Sequence, residues 1–411
     1  MIVRPYDPQT DMHAIHRIFY EVGWSDLSRE QEEAIDLVLG AGSALVGELH
    51  GAAESVAVRM PGTYRYLSED LSLCIVTQVA TSHVARRQGL ALHLTACLVQ
   101  QAAGEGALLA ALGMFDQGFY DRLGFGSGPY DHWVGFDPAL LRVDGPRRPP
   151  QRVTAGDWQA VHAARLAQPR RHGAIALLPA AATRAEMLYP KHPLGLGYCD
   201  GPEGTFSHLV WCGVRGMDRG PVLVRWLVYH NRAQFVELMA ALKGLGDQMR
   251  LVVMMEPPGI QLQDLIETPF KQRQITDKSP YEAGTRAASW WQIRILDLER
   301  CLTHTHLPGP EVRFNLRLAD PIERYLERSS AWHGVAGDYI VTLGPSSGAE
   351  QGFDQRLPTL TASVNAFTRL WIGVRPATGL ALTDDLAGPP ELLAALDVAL
   401  RLPTPLPGWE F

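Results

Sequence analysis

Hydrophobic residues near the start of the chain follow two spacings, one typical of helices and one typical of strands. In DMHAIHRIFYEVGW they recur at three and four residues, which predicts a helix over about residues 11–23. A strand at residues 2–6 precedes this helix. A second helix over about residues 28–39 and two strands within residues 43–60 follow it.

A strand–helix–strand unit comes next. LSLCIVTQVAT, residues 71–81, is apolar and rich in strand-forming residues, so it predicts a buried strand. ARRQGLALHLTACLVQQAAGEG is strongly helical and ends on glycines. ALLAALGM, residues 107–114, predicts a short buried strand. Two strands joined by a helix in this order form a βαβ unit.

The same order recurs after VDGPRRPPQ, residues 143–151, where three prolines and a glycine prevent regular structure. PVLVRWLVYHNRAQFVELMAALKGLGDQMRLVVMMEP predicts a strand, a helix with Asn231 as its N-cap, and a strand. This helix begins at HNRAQF, without the glycine of RRQGLA in the first copy. We therefore predict a second copy of the same fold that has lost its ligand loop.

The last part of the chain has half-buried strands in EVRFNLRLAD and GDYIVTLGP, and a helix in PPELLAALDVALRL that opens on two prolines. It ends at PLPGWEF, whereas most termini are polar. The predicted fold class is α+β, with domains over residues 1–145, 146–287 and 288–411.

Composition and charge narrow the class of protein. Hydrophobic residues make up 46% of the 411 residues and charged residues 20%, which is typical of a soluble globular chain. The net charge is −7 and no Lys/Arg cluster exceeds two residues, which argues against a nucleic-acid or membrane partner and suits a cationic substrate. No signal segment and no apolar run of about 18 residues is present, so we expect a cytoplasmic protein.

Cysteine and histidine spacing predicts neither a disulfide framework nor a metal site. The five cysteines are widely spaced and include no C-x-x-C pair, so we expect reduced core thiols. The fourteen histidines form no H-x-x-x-H arrangement, and their one H-x-H arrangement, His304-Thr305-His306, has no Asp or Glu within four residues on either side. We therefore expect no metal cofactor.

The strongest chemical signal is a six-residue loop between a predicted strand and a predicted helix. It fits the pattern Arg/Gln-x-x-Gly-x-Gly/Ala, and its residues are Arg86, Arg87, Gln88, Gly89, Leu90 and Ala91. A helix N-terminus offers unpaired N–H groups and partial positive charge, so a loop that approaches closely can hold a pyrophosphate. The alternative is a glycine turn before a surface helix. A nucleoside triphosphate would require the Lys-Ser/Thr that this loop lacks, and the G-x-G-x-x-G dinucleotide pattern is not met.

A second signal, MFDQGFYDRLGFGSG, follows the next strand. Together the loop and this segment resemble the GNAT superfamily of acetyltransferases, in which a splayed strand end binds the pantetheine of acetyl-CoA. The resemblance implies a set of acetyl-CoA contacts: Val79, Ala80, Thr81, Arg86, Arg87, Gln88, Gly89, Leu90, Ala91, Leu92, Phe115 and Asp116. It also matches Tyr120 to the tyrosine that protonates the leaving thiolate, and a phenol still carries its proton at neutral pH, so it has one to give. The alternative is that Tyr120 only packs with Phe119 and Phe125.

The resemblance extends over nearly the whole chain. Two tandem acetyltransferase-like domains, the second without its loop, followed by a small domain similar to sterol carrier protein, resemble the Eis (enhanced intracellular survival) family. The motifs that carry this are ARRQGLA, GFYDRLGFG, SVNAFTRLWIGVRPATGLA and the final WEF.

The Eis resemblance implies a general base, an acceptor site and an assembly. The base would be the α-carboxylate of Phe411, although a terminus docked for stability alone is the alternative. Trp24, Asp26 and Glu410 would line the acceptor cavity, and Asp26 could equally cap the helix over residues 28–39. The assembly would be a homo-oligomer, a hexamer in the family.

The function predicted from the sequence is acetyl-CoA-dependent N-acetylation of a small polyamine or aminoglycoside-like acceptor, by direct transfer in a ternary complex. One alternative changes the acceptor to a protein lysine or N-terminus. The other is a lipid-binding carrier with a vestigial acetyltransferase site. Acceptor-dependent release of thiol separates the enzyme from the carrier.

Overall fold

The computed structural model describes residues 2–145, 148–201, 204–216, 218–326 and 331–409. Within them the strands are β1 (Ile2–Pro5), β2 (Ser43–Leu49), β3 (Ala52–Tyr66), β4 (Glu69–Thr81), β5 (Leu109–Gly113), β6 (Gly126–Ser127), β7 (Asp131–Phe136), β8 (Gln151–Val153), β9 (Ile175–Leu177), β10 (Pro193–Tyr198), β11 (His208–Val214), β12 (Val222–Val228), β13 (Val252–Met255), β14 (Gly284–Ala288), β15 (Trp291–Ile295), β16 (Val312–Ala319), β17 (Gly337–Leu343), β18 (Gly348–Gln351), β19 (Thr359–Ser363) and β20 (Leu386–Ala387). The α-helices are α1 (Pro8–Glu21), α2 (Arg29–Ala41), α3 (Leu90–Gly104), α4 (Trp158–Ala167), α5 (Ala180–Leu188), α6 (Arg232–Lys243), α7 (Pro269–Thr276), α8 (Leu298–Thr303), α9 (Val364–Trp371), α10 (Ala377–Thr383) and α11 (Pro390–Ala399).

The first sheet has the strand order β1-β2-β3-β4-β5-β15-β6, and β9 pairs with β3 off this path. Strands β4 and β5 run parallel and are joined by α3, which packs against β2, β3 and β4. The strand–helix–strand unit predicted from the hydrophobic spacing is therefore confirmed. Its strands are mostly buried because α3 covers one face of the sheet.

The second sheet has the order β14-β7-β13-β12-β11-β10-β8. Its parallel strands β12 and β13 flank α6, so the second predicted strand–helix–strand order is also confirmed. Asn231 caps α6 as predicted, since its side chain accepts a hydrogen bond from the backbone N–H of Gln234 at 3.1 Å.

The predicted domain boundaries at 145/146 and 287/288 stay predictions. Near each boundary one strand lies in the sheet of the neighbouring predicted domain. Strand β7 precedes the first boundary but lies in the second sheet, between β13 and β14. Strand β15 follows the second boundary but lies in the first sheet, between β5 and β6. The first two sheets are therefore tied together by chain that crosses in both directions.

The third sheet has the order β18-β17-β16-β19-β20. Helix α9 packs on this sheet and also on β15 and β6 of the first sheet. Tyr66 of the first sheet stacks on Trp371 of α9 with ring centroids 4.5 Å apart, and Arg294 of β15 pairs with the buried carboxylate of Asp320. The third sheet is thus fixed to the first through a buried interface.

Four of the five cysteines are buried free thiols, and Cys199 is half-buried. Across the described ranges, no helix has the length and apolar character needed to cross a membrane. Among those same residues, no group of three His, Cys, Asp or Glu side chains is arranged to hold a metal ion.

Candidate active site

The end of β4 separates from β5. The parallel pairing joins residues 73–76 to residues 109–112, but β4 continues to Thr81. Within the described strands, β5 supplies no partner for residues 77–81, so this edge of β4 is open to a ligand. This geometry agrees with the splayed strand expected at Val79, Ala80 and Thr81.

A bulge on the other side of β4 accentuates this separation. Val56 of β3 opposes Ala80, and Val58 opposes Thr77, so Gln78 and Val79 together face Ala57 alone. Gln78 has a φ of 49°, in the left-handed region that non-glycine residues seldom adopt. Bulges of this kind bend a strand and redirect its side chains, and they are frequent beside active sites.

The predicted loop lies directly before α3. Gly89 is the N-cap residue with a φ of 78°, and Arg87 has a φ of 64°. No side chain caps this helix, so its first N–H groups face the loop. A Cβ added at Gly89 would meet no atom within 4 Å, so the space in front of the helix N-terminus is open. This is the environment that anionic phosphate groups favour.

A cavity of about 790 Å³ opens along this edge and the loop. Its lining includes ten of the predicted acetyl-CoA contacts: Val79, Ala80, Thr81, Arg86, Arg87, Gly89, Leu90, Ala91, Leu92 and Phe115. Gln88 and Asp116 are exposed and do not line it. Arg122 does line it, a residue that the sequence analysis missed although it lies within GFYDRLGF. Its guanidinium is 5.4 Å from the centroid of the Phe119 ring.

Tyr120 opens a short 3₁₀ turn, Tyr120–Leu123, and is only 2% exposed. Its ring packs against Phe115, Phe119 and Phe125, so the packing role considered for it is real. It also lines the cavity. Burial raises the pKa of Tyr120 well above that of an exposed tyrosine, so its phenol stays protonated and can donate a proton or a hydrogen bond.

The C-terminal part of the chain supports this turn from behind. The side-chain amide of Asn365 in α9 donates hydrogen bonds to the carbonyls of Asp121 and Phe125, both at 2.9 Å. Gln292 of β15 donates to the Asp121 carboxylate at 2.6 Å, and Arg294 donates to the carbonyl of Leu123. Asn365 belongs to SVNAFTRLWIGVRPATGLA, a segment to which the sequence analysis assigned no role.

A second cavity, of about 650 Å³, adjoins the first. The two share Trp24, Val79, Phe115 and Tyr120. The other residues of the second cavity come from six parts of the chain: Phe19, Val76, Thr77, Gln78, Gly113, Met114, Trp133, Tyr189, Ala288 and Trp290. A molecule in the second cavity would therefore contact a molecule in the first cavity beside Tyr120.

Asp26, expected to line the acceptor cavity, lines neither cavity. Its carboxylate pairs with Lys191 at 2.8 Å and accepts a hydrogen bond from the backbone N–H of Ser28 at 3.1 Å. The hydrogen bond from Lys191 lowers the pKa of Asp26 to about 2. Ser28, and not Asp26, is the N-cap of α2, so the capping hypothesis for Asp26 is wrong.

The chain end is held at Trp409, which is 3% exposed. The indole N–H of Trp409 donates to the Glu186 carboxylate at 3.0 Å. The Arg165 guanidinium lies between two indoles, 3.8 Å from the Trp226 centroid and 3.5 Å from the Trp409 centroid. Glu410 and Phe411, the predicted acceptor residue and general base, lie outside the described residues.

No family model matches the chain, and no curated protein matches it. Solved structures do match. A conserved protein of Enterococcus faecalis V583, called a probable N-acyltransferase, has a TM-score of 0.75 at 16% identity, with 98% of this chain and 96% of that chain covered. A GCN5-related N-acetyltransferase of Anabaena variabilis ATCC 29413 has a TM-score of 0.75 at 13% identity, with 100% of both chains covered. Eis1 of Mycobacterium abscessus has a TM-score of 0.74 at 16% identity, again with 100% of both covered. Over its full length the chain therefore has the fold of the GCN5-related N-acetyltransferases, Eis1 among them, which confirms the resemblance expected from the motifs at the level of the fold.

Proposed function

We propose that the protein is an acetyl-CoA-dependent N-acetyltransferase that transfers the acetyl group directly to an amine in a ternary complex. The observation that carries this proposal is the open edge of β4 at residues 77–81, which leads to the uncapped N-terminus of α3. Pantetheine carries amide groups that pair with a free strand edge, and a pyrophosphate suits a helix N-terminus flanked by Arg86 and Arg87.

In the proposed reaction the amine nitrogen attacks the thioester carbonyl, a C–N bond forms and the C–S bond breaks. Backbone N–H groups near Val79 polarise the carbonyl. The α-carboxylate of Phe411, assigned from the family resemblance, accepts the proton that the ammonium must lose. Tyr120 gives its proton to the departing thiolate and regains one from the second proton that the amine nitrogen loses as the amide forms, so charge and protons balance without a covalent enzyme intermediate.

We further propose the tandem layout, with acetyltransferase-like units on either side of residue 145 and a unit similar to sterol carrier protein after residue 287. Two observations support this layout. Both parallel strand–helix–strand orders occur, and the side chain of Asn231 caps the N-terminus of α6, whereas no side chain caps the N-terminus of α3. The proposal that the protein is a hexamer rests on the resemblance alone. Sedimentation of the purified protein measures the number of subunits.

The function is tested by acceptor-dependent release of CoA thiol from acetyl-CoA, with amines offered singly. An N-acetyltransferase releases thiol in proportion to acetylated amine. A lipid carrier with a vestigial site releases none with any amine, and an enzyme for protein lysines or N-termini releases thiol only with peptides.

Replacing Gly89 with alanine is expected to weaken acetyl-CoA binding. An L-residue at its φ of 78° costs about 1–2 kcal/mol, and relaxation of the loop would move the N–H groups of α3. A loss of about 1.4 kcal/mol corresponds to a roughly tenfold higher Kd, measured by calorimetry.

The matched control is Gly51→Ala. Gly51 has a φ of 83°, no atom within 4 Å of an added Cβ, and a place in the turn between β2 and β3, away from the cavity. It carries the same strain but should leave the Kd unchanged. Equal Kd values of the two variants for acetyl-CoA would contradict the proposed role of the loop in binding the pyrophosphate.

Replacing Asn365 with alanine is expected to lower kcat by about 10- to 100-fold, because small displacements of a reacting group slow transfer strongly. Asn365 is a positioning residue, since it donates hydrogen bonds to the carbonyl of Asp121 within the Tyr120 turn and to the carbonyl of Phe125 just after it. The KM for acetyl-CoA should not change. Steady-state kinetics at a temperature where the variant is fully folded provide the measurement.

Asn315→Ala is the control. The Asn315 amide also donates to two backbone carbonyls, those of Asp354 and Leu357, at 2.8 Å and 3.1 Å, but within the third sheet region. Loss of these two hydrogen bonds should lower the free energy of unfolding and leave kcat unchanged. If kcat fell equally in both variants, the effect of Asn365→Ala would come from general destabilisation and not from positioning of Tyr120.

A further inference from the structure

The second sheet contains a splayed pair of parallel strands, as the first sheet does. Strands β12 and β13 pair only at residues 222–223 and 252–253, although β12 continues to Val228. Within the described strands, β13 supplies no partner for residues 224–228. This stretch of β12 therefore has an open edge, in a part of the chain to which the proposed acetyl transfer assigns no role.

A bulge in β12 accompanies the splay. Trp226 opposes Trp211 of β11 and Val224 opposes Cys212, so Arg225 is the extra residue. It comes two residues after the parallel pairing ends, which is also where the bulge in β4 begins. The second sheet has thus kept the two backbone features that shape the proposed acetyl-CoA site in the first.

A third cavity, of about 200 Å³, lies in this splay. Its lining includes the open stretch of β12, residues 254–258 at the end of β13, and residues 406–409 near the end of the chain. Among the described lining residues, Trp133 alone is shared with the second cavity, and none is shared with the first. A single water needs roughly 10–15 Å³, so a small organic molecule fits here.

Basic side chains outnumber acidic ones in the described lining of this cavity. Four arginines line it: Arg165, Arg170, Arg171 and Arg225. Glu256 is the one carboxylate among those described residues, and it already accepts a hydrogen bond from the backbone N–H of Leu262 at 2.7 Å. Two of the arginines pair with carboxylates outside the lining, those of Glu186 at 3.1 Å and Asp70 at 2.8 Å. The remaining positive charge favours an anionic ligand.

Arg171 is the arginine best suited to pair with that anion. Its guanidinium donates a hydrogen bond to the carbonyl of Pro258 at 2.8 Å, and it forms no ion pair with any residue that the structure describes. The Nε of Arg170 is buried and has no hydrogen-bond partner in the same part of the chain. A guanidinium can bind both oxygens of a carboxylate, which makes such pairs strong and directional.

Tyr229 adds an uncharged donor to this side of the cavity. Burial raises the pKa of Tyr229 above its ordinary value, and the positive charge of Arg171 offsets part of the rise. The phenol therefore stays protonated at neutral pH and can donate a hydrogen bond to an anion.

The rest of the lining favours a carboxylate on an apolar body over a phosphate. The apolar and aromatic residues include Trp133, Ile175, Val224, Trp226, Val228 and Met254. They offer an organic ligand apolar area to bury. A phosphate group would favour an open helix N-terminus, but the side chain of Asn231 caps α6.

We propose that the third cavity is a binding site for a small organic carboxylate, whose charged end pairs with Arg171 and Arg170 and whose apolar body packs on Trp226. The site is additional to the proposed acetyl-CoA and acceptor cavities, and carboxylate binding does not depend on acetyl transfer. Because residues 406–409 form one wall, the bound molecule would also hold the tail that leads to Phe411.

The test is isothermal titration calorimetry of phenylacetate into the full-length protein in the presence of CoA. We expect saturable binding, whereas phenylacetamide, which has the same body without the charge, should bind at least about tenfold more weakly. Tryptophan fluorescence should follow the same binding curve, since Trp133, Trp226 and Trp409 line the cavity. No binding of phenylacetate, or equally tight binding of phenylacetamide or inorganic phosphate, overturns the inference. A protein that binds phenylacetate but transfers no acetyl group supports it and defeats the proposed enzymatic function alone.

Variants locate the binding site. Arg171→Gln should raise the Kd for phenylacetate by about tenfold or more, and Tyr229→Phe, which keeps the ring, should raise it severalfold and serves if Arg171→Gln does not fold. Arg142→Gln is the matched control. Arg142 is also exposed and donates to a backbone carbonyl, that of Ile266 at 3.2 Å, but lines none of the three cavities. If all three variants bound phenylacetate with the Kd of the parent, the third cavity would not be its site.

Discussion

Replacing Tyr120 with phenylalanine is expected to lower kcat by about 10²- to 10⁴-fold, the usual contribution of a positioned general acid. The ring remains, so the packing against Phe115, Phe119 and Phe125 is kept and the turn should not move. The Kd for acetyl-CoA should stay the same. Because burial raises the pKa of Tyr120, the parent enzyme should lose no activity through deprotonation of this tyrosine up to about pH 10.

Tyr64→Phe is the matched control for this variant. Tyr64 is fully buried in β3 of the same sheet, and its hydroxyl makes no hydrogen bond within the described residues. Losing that hydroxyl should change neither kcat nor the Kd for acetyl-CoA. If the kcat of Tyr120→Phe equalled that of Tyr64→Phe, Tyr120 would have a packing role only.

Adding three residues after Phe411 is expected to lower kcat by about 10²- to 10⁴-fold, because the proposed base would no longer be a terminal carboxylate. The tether is short, since Trp409 is fixed by Glu186 and Arg165 two residues before the end. An amine must lose a proton before it attacks, so loss of the base should affect kcat with every amine. Steady-state kinetics and calorimetry with acetyl-CoA would separate loss of transfer from loss of binding.

The control carries the same three residues before Met1, next to the exposed strand β1. It should keep full activity. Glu410→Gln separates the side chain of Glu410 from the terminal carboxylate and should keep most of the activity. A C-terminally extended protein with the kcat of this control would exclude the α-carboxylate of Phe411 as the base.

Local spacing in the sequence was sufficient for the parts of the fold that local interactions decide. The two strand–helix–strand orders, the cap at Asn231 and the start of α11 after Pro389 follow from periodicity and terminal preferences. The loop before α3 could be found because glycine at position 89 is needed where φ is positive.

Long-range contacts decided the rest. The pattern of β15 says that it is buried but not that it enters the first sheet between β5 and β6. Trp133, Tyr189 and Trp290 meet in the second cavity only because strands cross between the sheets, so no segment of sequence marks them as neighbours. The resemblance placed Asp26 in the acceptor cavity, whereas in the structure its carboxylate pairs with Lys191, which is distant in sequence.

The central claim is that the open edge of β4 and the N-terminus of α3 bind the pantetheine and pyrophosphate of acetyl-CoA. Isothermal titration calorimetry of acetyl-CoA into the purified, folded protein measures it most directly. We predict saturable binding, weakened by added salt because arginines at the loop pair with phosphate, and weakened further in Gly89→Ala but not in Gly51→Ala. A folded protein that takes up neither acetyl-CoA nor CoA at any ionic strength would contradict the account.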